Sequence, residues 1–214
     1  MGRSRLKFTV ICSAFLLAGS GFLRGGVIIN TFGAGHSFEN VWTAACGSCG
    51  GAGDAAEFTP TASGNVGTID LVLGQAGTGT TATLVLANDN SGSPGTAIET
   101  YSVVGLTASP AVITLTSSLQ PSLSAGTDYW LELFPTDNAT SIDWYLNNQG
   151  AMEVDHATGT TAFNVYPATW TINSAGPMPA LDILTPQGVP EPAATMPTCL
   201  ALGMGVGFAC LRRR

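Results

Sequence analysis

No apolar stripe of helical period runs through the middle of this chain. Between residues 27 and 188 the apolar residues come in short runs, alternating or continuous, bounded by Gly, Pro, Asn, Asp or Ser. Such runs predict strands over residues 27–32, 56–59, 68–73, 80–87, 97–104 and 111–116. Further strands are expected over 129–134, 141–147, 163–166, 169–173 and 180–184. The stretches 88–95, 121–126 and 135–138 carry turn chemistry. Many short strands in about 160 residues predict one all-β domain, an antiparallel β-sandwich of jelly-roll type, with 185–189 as a linker. Alternation puts Tyr129, Leu131 and Leu133 on one face and Trp130, Glu132 and Phe134 on the other. The first set is the expected buried face.

Charge is distributed in an unusual way. The 7 basic residues are Arg3, Arg5, Lys7, Arg24, Arg212, Arg213 and Arg214. From Gly25 to Leu211 there is no lysine or arginine, and all 14 acids, Glu39 through Glu191, fall in that interval. The formal net charge of −7 therefore understates how acidic the domain is. Such a surface repels phosphate backbones, which excludes nucleic acid as a partner. It attracts calcium or magnesium at least diffusely.

Both ends are apolar and flanked by cations. Arg3, Arg5 and Lys7 precede an apolar run over 8–22, the pattern of a signal peptide (residues 1–25). Signal peptidase is expected to cut between about Ser20 and Gly26, the alternative being an uncleaved anchor. At the other end, residues 189–214 have three parts. Val189, Pro190, Glu191 and Pro192 form a stiff extended element. Residues 193–211 carry no charge and as a transmembrane helix would reach about 28 Å, enough to cross a bilayer core. Arg212, Arg213 and Arg214 form a cytoplasmic stop signal.

This order of parts resembles the PEP-CTERM sorting signal. The resemblance implies recognition by exosortase, a membrane-embedded cysteine transpeptidase, and removal of the tail near the Pro-Glu-Pro. It implies export across the inner membrane, transient anchoring by the C-terminal helix, and release to the cell surface or an exopolysaccharide matrix. An ordinary membrane anchor explains the span and the arginines but leaves Val189–Pro192 without a role. The mature region resembles a second family. Asn30-Thr31-Phe32-Gly33, Glu57-Phe58-Thr59-Pro60-Thr61-Ala62, Ser93-Pro94-Gly95-Thr96 and Leu123-Ser124-Ala125-Gly126-Thr127-Asp128-Tyr129-Trp130-Leu131 are similar to the choice-of-anchor R domain. That resemblance implies an extracellular β domain and brings no activity with it.

Few residues offer chemistry. Cys46 and Cys49 have the spacing of a redox motif, but flanking glycines argue for a loop, where a small local disulfide is expected. His36 is the histidine nearest to them, and nothing completes a zinc pattern. Asp155-His156 does not stand in a nucleophile motif, and His156 reads as an exposed hairpin histidine. Glu153 and Asp155 read as solvated edge charges rather than a glycosidase pair. Asn88-Asp89-Asn90-Ser91-Gly92 lacks the later bidentate glutamate of an EF-hand and reads as a turn, so calcium is the one metal kept open. Trp130, Trp144 and Trp170 would stack on sugar rings if they shared an exposed face, although aromatics in a domain this size are more often core. No catalytic residue or cofactor is expected. The expectation is a structural or interaction component, with a carbohydrate-binding module as the alternative and an extracellular hydrolase as the remote one.

Overall fold

The computed structural model describes residues 25–160 and 169–187. Among them there is no helix, and every strand pairing is antiparallel. The strands are β1 (Val27–Asn30), β2 (Glu39–Cys46), β3 (Ala52–Phe58), β4 (Gly64–Asn65), β5 (Thr68–Gln75), β6 (Thr81–Asp89) and β7 (Pro94–Val104). After these come β8 (Ala111–Thr116), β9 (Ser122–Leu123), β10 (Tyr129–Pro135), β11 (Ser141–Leu146), β12 (His156–Thr160), β13 (Trp170–Asn173) and β14 (Leu181–Leu184). All but the short β4–β9 pair belong to one sheet with the path β1-β14-β5-β11-β2-β3-β10-β6-β7.

Two strands act as junctions. β5 carries β8 along one edge, while its first half pairs with β14 and its end with β11 on the other. β3 pairs with both β10 and β12, and meets β2 through the tight turn that joins Cys46 to Ala52. The sheet curls, so the inward faces of its two halves share one core. Ile69, Leu71 and Leu73 of β5 pack in the same cluster as Leu84 and Leu86 of β6, Leu131 and Leu133 of β10, and Trp144 of β11.

The expected strands recur where the described residues cover them, with ends shifted by up to four residues. Segment 163–166, also expected as a strand, lies outside the described residues. Strands β2, β4, β9 and β12 were not foreseen, because none shows clean period-two alternation of apolar residues. One expectation about burial needs correction. Both faces of β10 are covered, not only the Tyr129, Leu131 and Leu133 side. β10 lies between β3 and β6, and its second face packs Trp130 and Phe134 with Ala55, Val85, Ala87, Ala157 and Trp170. Glycine permits the closest approach there: a Cβ on Gly53 would lie 2.3 Å from Phe134.

Candidate functional site

β3 brings the chemistry together because it is bonded along both edges. Alternation sends Asp54 and Ala56 to one face and Ala55 and Glu57 to the other. On the first face, β12 aligns His156 with Ala56 and Thr158 with Asp54. His156 Nε2 lies 2.7 Å from Asp54 Oδ1, and its Nδ1 lies 3.2 Å from Glu153 Oε1. Glu153 Oε1 also accepts the Gly176 N–H at 2.8 Å, which ties the segment before β14 to the cluster. Burial alone would lower the His156 pKa. The hydrogen bonds to Asp54 and Glu153 outweigh it and push the value up to about 9. Burial raises the Asp54 carboxyl above its ordinary value, although the His156 contact opposes the rise.

The result is an imidazolium clamped between two acids. With both nitrogens donating, the ring has no lone pair to serve as a general base. The structure corrects two expectations here. His156 is not an exposed hairpin histidine, since only 12 % of its side chain is accessible. Glu153 is buried rather than a solvated edge charge, while Asp155 is half-buried. Both corrections have one cause: β12 docks along β3, which brings His156 onto Asp54 and draws Glu153 in beside the ring, while Met152 and Val154 stay exposed.

On the opposite face a second acidic pair forms. Glu57 is buried, and burial first, then its hydrogen bond to Asp89 and the charges of Asp89, Asp128 and Asp155, push its pKa up to about 7. Burial also acts to raise Asp89, but hydrogen bonds win and its pKa falls. Trp130 Nε1 donates to Asp89 Oδ1 at 3.1 Å, the Gly92 N–H at 2.9 Å and the Ser93 N–H at 3.2 Å. Below about pH 7 Glu57 thus holds the proton and donates it toward an ionised Asp89. In loop 88–92 this carboxylate closes a turn through backbone N–H groups, with Gly92 at φ 77°. Glu132, between Trp130 and Phe134 and opposite Ala55 and Val85, is buried, and burial pushes its pKa up to about 8.

The remaining candidates are placed as follows. Cys46 and Cys49 form a disulfide at the β2–β3 turn, with Cα atoms 5.3 Å apart. His36 stands apart from them, its ring 4.8 Å from that of Phe32. Trp130 and Trp144 are fully buried, which is the core placement favoured for them and removes both from the sugar-stacking alternative: central strands β10 and β11 turn them into the core. Trp170 is half-buried against Phe134 at 5.7 Å between ring centroids. No described His, Cys, Asp and Glu residues gather in threes around a point that could hold a metal. Val189, Pro190, Glu191, Pro192, Arg212, Arg213 and Arg214 lie outside the described residues, as does the predicted span. No helix among the described residues is long and apolar enough to cross a membrane.

Reading the sequence missed Asp54, Glu57 and Glu132 as buried acids. For Glu132 a signal was present: alternation places it on one face with Trp130 and Phe134, poor company for a solvated carboxylate. No protein-family model, curated protein or solved structure matches the chain.

Proposed function

We propose that this chain is an exported, exosortase-sorted component of the bacterial surface or exopolysaccharide matrix, with a structural or interaction role. The observation that carries the reading is the charge map. An interval of 187 residues, Gly25 to Leu211, holds every acid and no lysine or arginine, between two cationic apolar segments, with Pro190-Glu191-Pro192 at the edge of the second. Signal peptidase and exosortase act on the chain; the exposed domain is their cargo. We read the curled sheet as a β-sandwich whose layers meet across the shared core. The acid–histidine clamp supports a structural role, because it joins β3, β12 and the segment at Gly176 and leaves no free base on the imidazole. Sugar binding loses two of its three tryptophans to the core.

The test is processing in the host. Replacing Pro190, Glu191 and Pro192 together by alanine is expected to leave full-length protein in the membrane fraction. If processing and release continue unchanged, exosortase does not read this motif.

A further inference from the structure

The outer face of the β5–β14 ladder carries a row of oxygen-bearing side chains that the clamp does not involve. Asp70 on β5 sits directly opposite Asp182 on β14. The row continues outward to Thr114 on β8, opposite Asp70, and to Asn30 on β1, opposite Asp182. Directly opposed residues share a face of the sheet, with Cβ atoms about 5 Å apart. Next along this face Val72 packs with Phe32 and Ala180, which closes that end of the row with apolar cover.

Two carboxylates in this position repel each other, since like charges directly opposite weaken a ladder. Burial strengthens the repulsion: Asp182 is fully buried and Asp70 is 9 % exposed. Asn30 Nδ2 reaches Asp182 Oδ2 only at 3.4 Å. Asp70 Oδ1 is buried and accepts no hydrogen bond at all. A buried acceptor left unmet asks for a partner, such as an ion, that the protein does not itself provide. No lysine or arginine exists between Gly25 and Leu211 to supply the charge, and His156 is committed to Asp54 and Glu153.

We propose that Asp70 and Asp182 hold a divalent cation of the calcium class. Asn30 and Thr114 flank the pair and supply a carboxamide and a hydroxyl to the ion or to its waters. The donor set contains only oxygen, which suits calcium and disfavours zinc, copper or iron. Calcium also tolerates the irregular, partly hydrated shell that two carboxylates on a pleated surface would give. Magnesium, which needs near-octahedral geometry and keeps its waters, fits less well. The site lies on β5, β14, β1 and β8, away from the acids of β3.

The test uses the full-length chain in mild detergent, stripped of metal with chelator and then titrated with calcium chloride. Extracellular calcium modules bind in the range of about 0.1–1 mM. Saturation is therefore expected to raise the melting temperature by about 5 °C or more, reversed by EGTA. Asp70→Asn, which keeps the volume and removes the charge, is expected to abolish the rise. Asp70→Glu, which keeps the charge, should retain a weakened response and serves if the asparagine variant does not fold. Magnesium should give a smaller rise than calcium. A wild-type melting temperature unmoved at 10 mM calcium overturns the proposal. A calcium response kept in full by Asp70→Asn also overturns it, by placing the ion elsewhere.

Discussion

Replacing Glu132 by glutamine isolates the cost of one buried acid. The Glu132 carboxyl is held at about 8 instead of 4.5, with burial as the cause. The sign follows from proton counts. Between pH 4.5 and 8 the unfolded chain has released this proton while the native chain keeps it, so stability falls as pH rises through that window. At about 1.36 kcal/mol per pH unit, the loss reaches roughly 3 kcal/mol at pH 7 and about 5 kcal/mol above pH 9. Glutamine has nearly the same shape and no proton to lose, so its stability curve should lack this slope. Its extra amide donor can shift the whole curve by about 1 kcal/mol, and for that reason the slope decides, not the offset.

Urea unfolding followed by tryptophan fluorescence reads the effect, since Trp130 and Trp144 are buried and report on unfolding. Measurements at pH 5, 7 and 8.5 should show the variant gaining on wild type at each step. Parallel curves for the two proteins would mean that the native carboxyl ionises near its ordinary value. Burial on β10 would then not be what controls it.

Two further substitutions test the remaining charge arrangements. His156 sits at about 9 against an ordinary 6.5, so its contribution is complete below pH 6.5 and is lost as pH rises through about 9. His156→Ala should cost about 3–5 kcal/mol at pH 6, because it strands two buried acids, and clearly less at pH 9.5; thermal melts at both pH values would expose an equal loss and so refute the clamp. Glu99 is the opposite case. Although burial acts to raise its pKa, hydrogen bonds from Ser117, Ser118, Tyr101 and Leu119 hold it below 4.5, so its contribution is present above pH 4.5 and disappears as pH falls through the lowered value. Glu99→Gln should cost about 1.5–3 kcal/mol at pH 7 and little at pH 2.5, read from urea midpoints.

The fold was legible where alternation was. Thr68–Gln75 and Tyr129–Pro135 declare themselves because apolar and β-branched residues recur with turn residues at either side. β12 was not legible: His-Ala-Thr-Gly-Thr has one small apolar residue and no pattern, and it forms a strand because the edge of β3 offers hydrogen bonds. The clamp was hidden for the same reason. His156 and Glu153 lie close in sequence, but Asp54 is about a hundred residues away and only the β3–β12 register joins them. The small disulfide was readable because Cys46 and Cys49 need only a tight turn, which the glycines around them supply. Burial of Trp130 and Trp144 was less readable, since a strand pattern does not say whether its second face meets water.

A domain without lysine or arginine has few ways to bury a carboxylate, and this one uses several of them side by side. Glu99 is ionised and satisfied by hydroxyls and backbone N–H groups at the end of β8. Asp54 and Glu153 take the single imidazolium that β12 delivers. Glu57 and Glu132 keep their protons at pH values where solvated glutamates have lost them. Asp70, whose buried Oδ1 accepts no hydrogen bond, fits none of these patterns, and on our proposal a cation from outside completes its pairing with Asp182. Three of these groups share a direction, opposite to that of Glu99. Glu57, Glu132 and His156 all bind protons more tightly in the native state, so together they favour the folded domain under mildly acidic conditions, and their contribution is lost progressively from about pH 4.5 up to about pH 9. Excluding lysine and arginine leaves this stretch without a fixed cation to attract anionic polymers or lipids. The same exclusion leaves the interior dependent on protons, one histidine and, on our proposal, calcium.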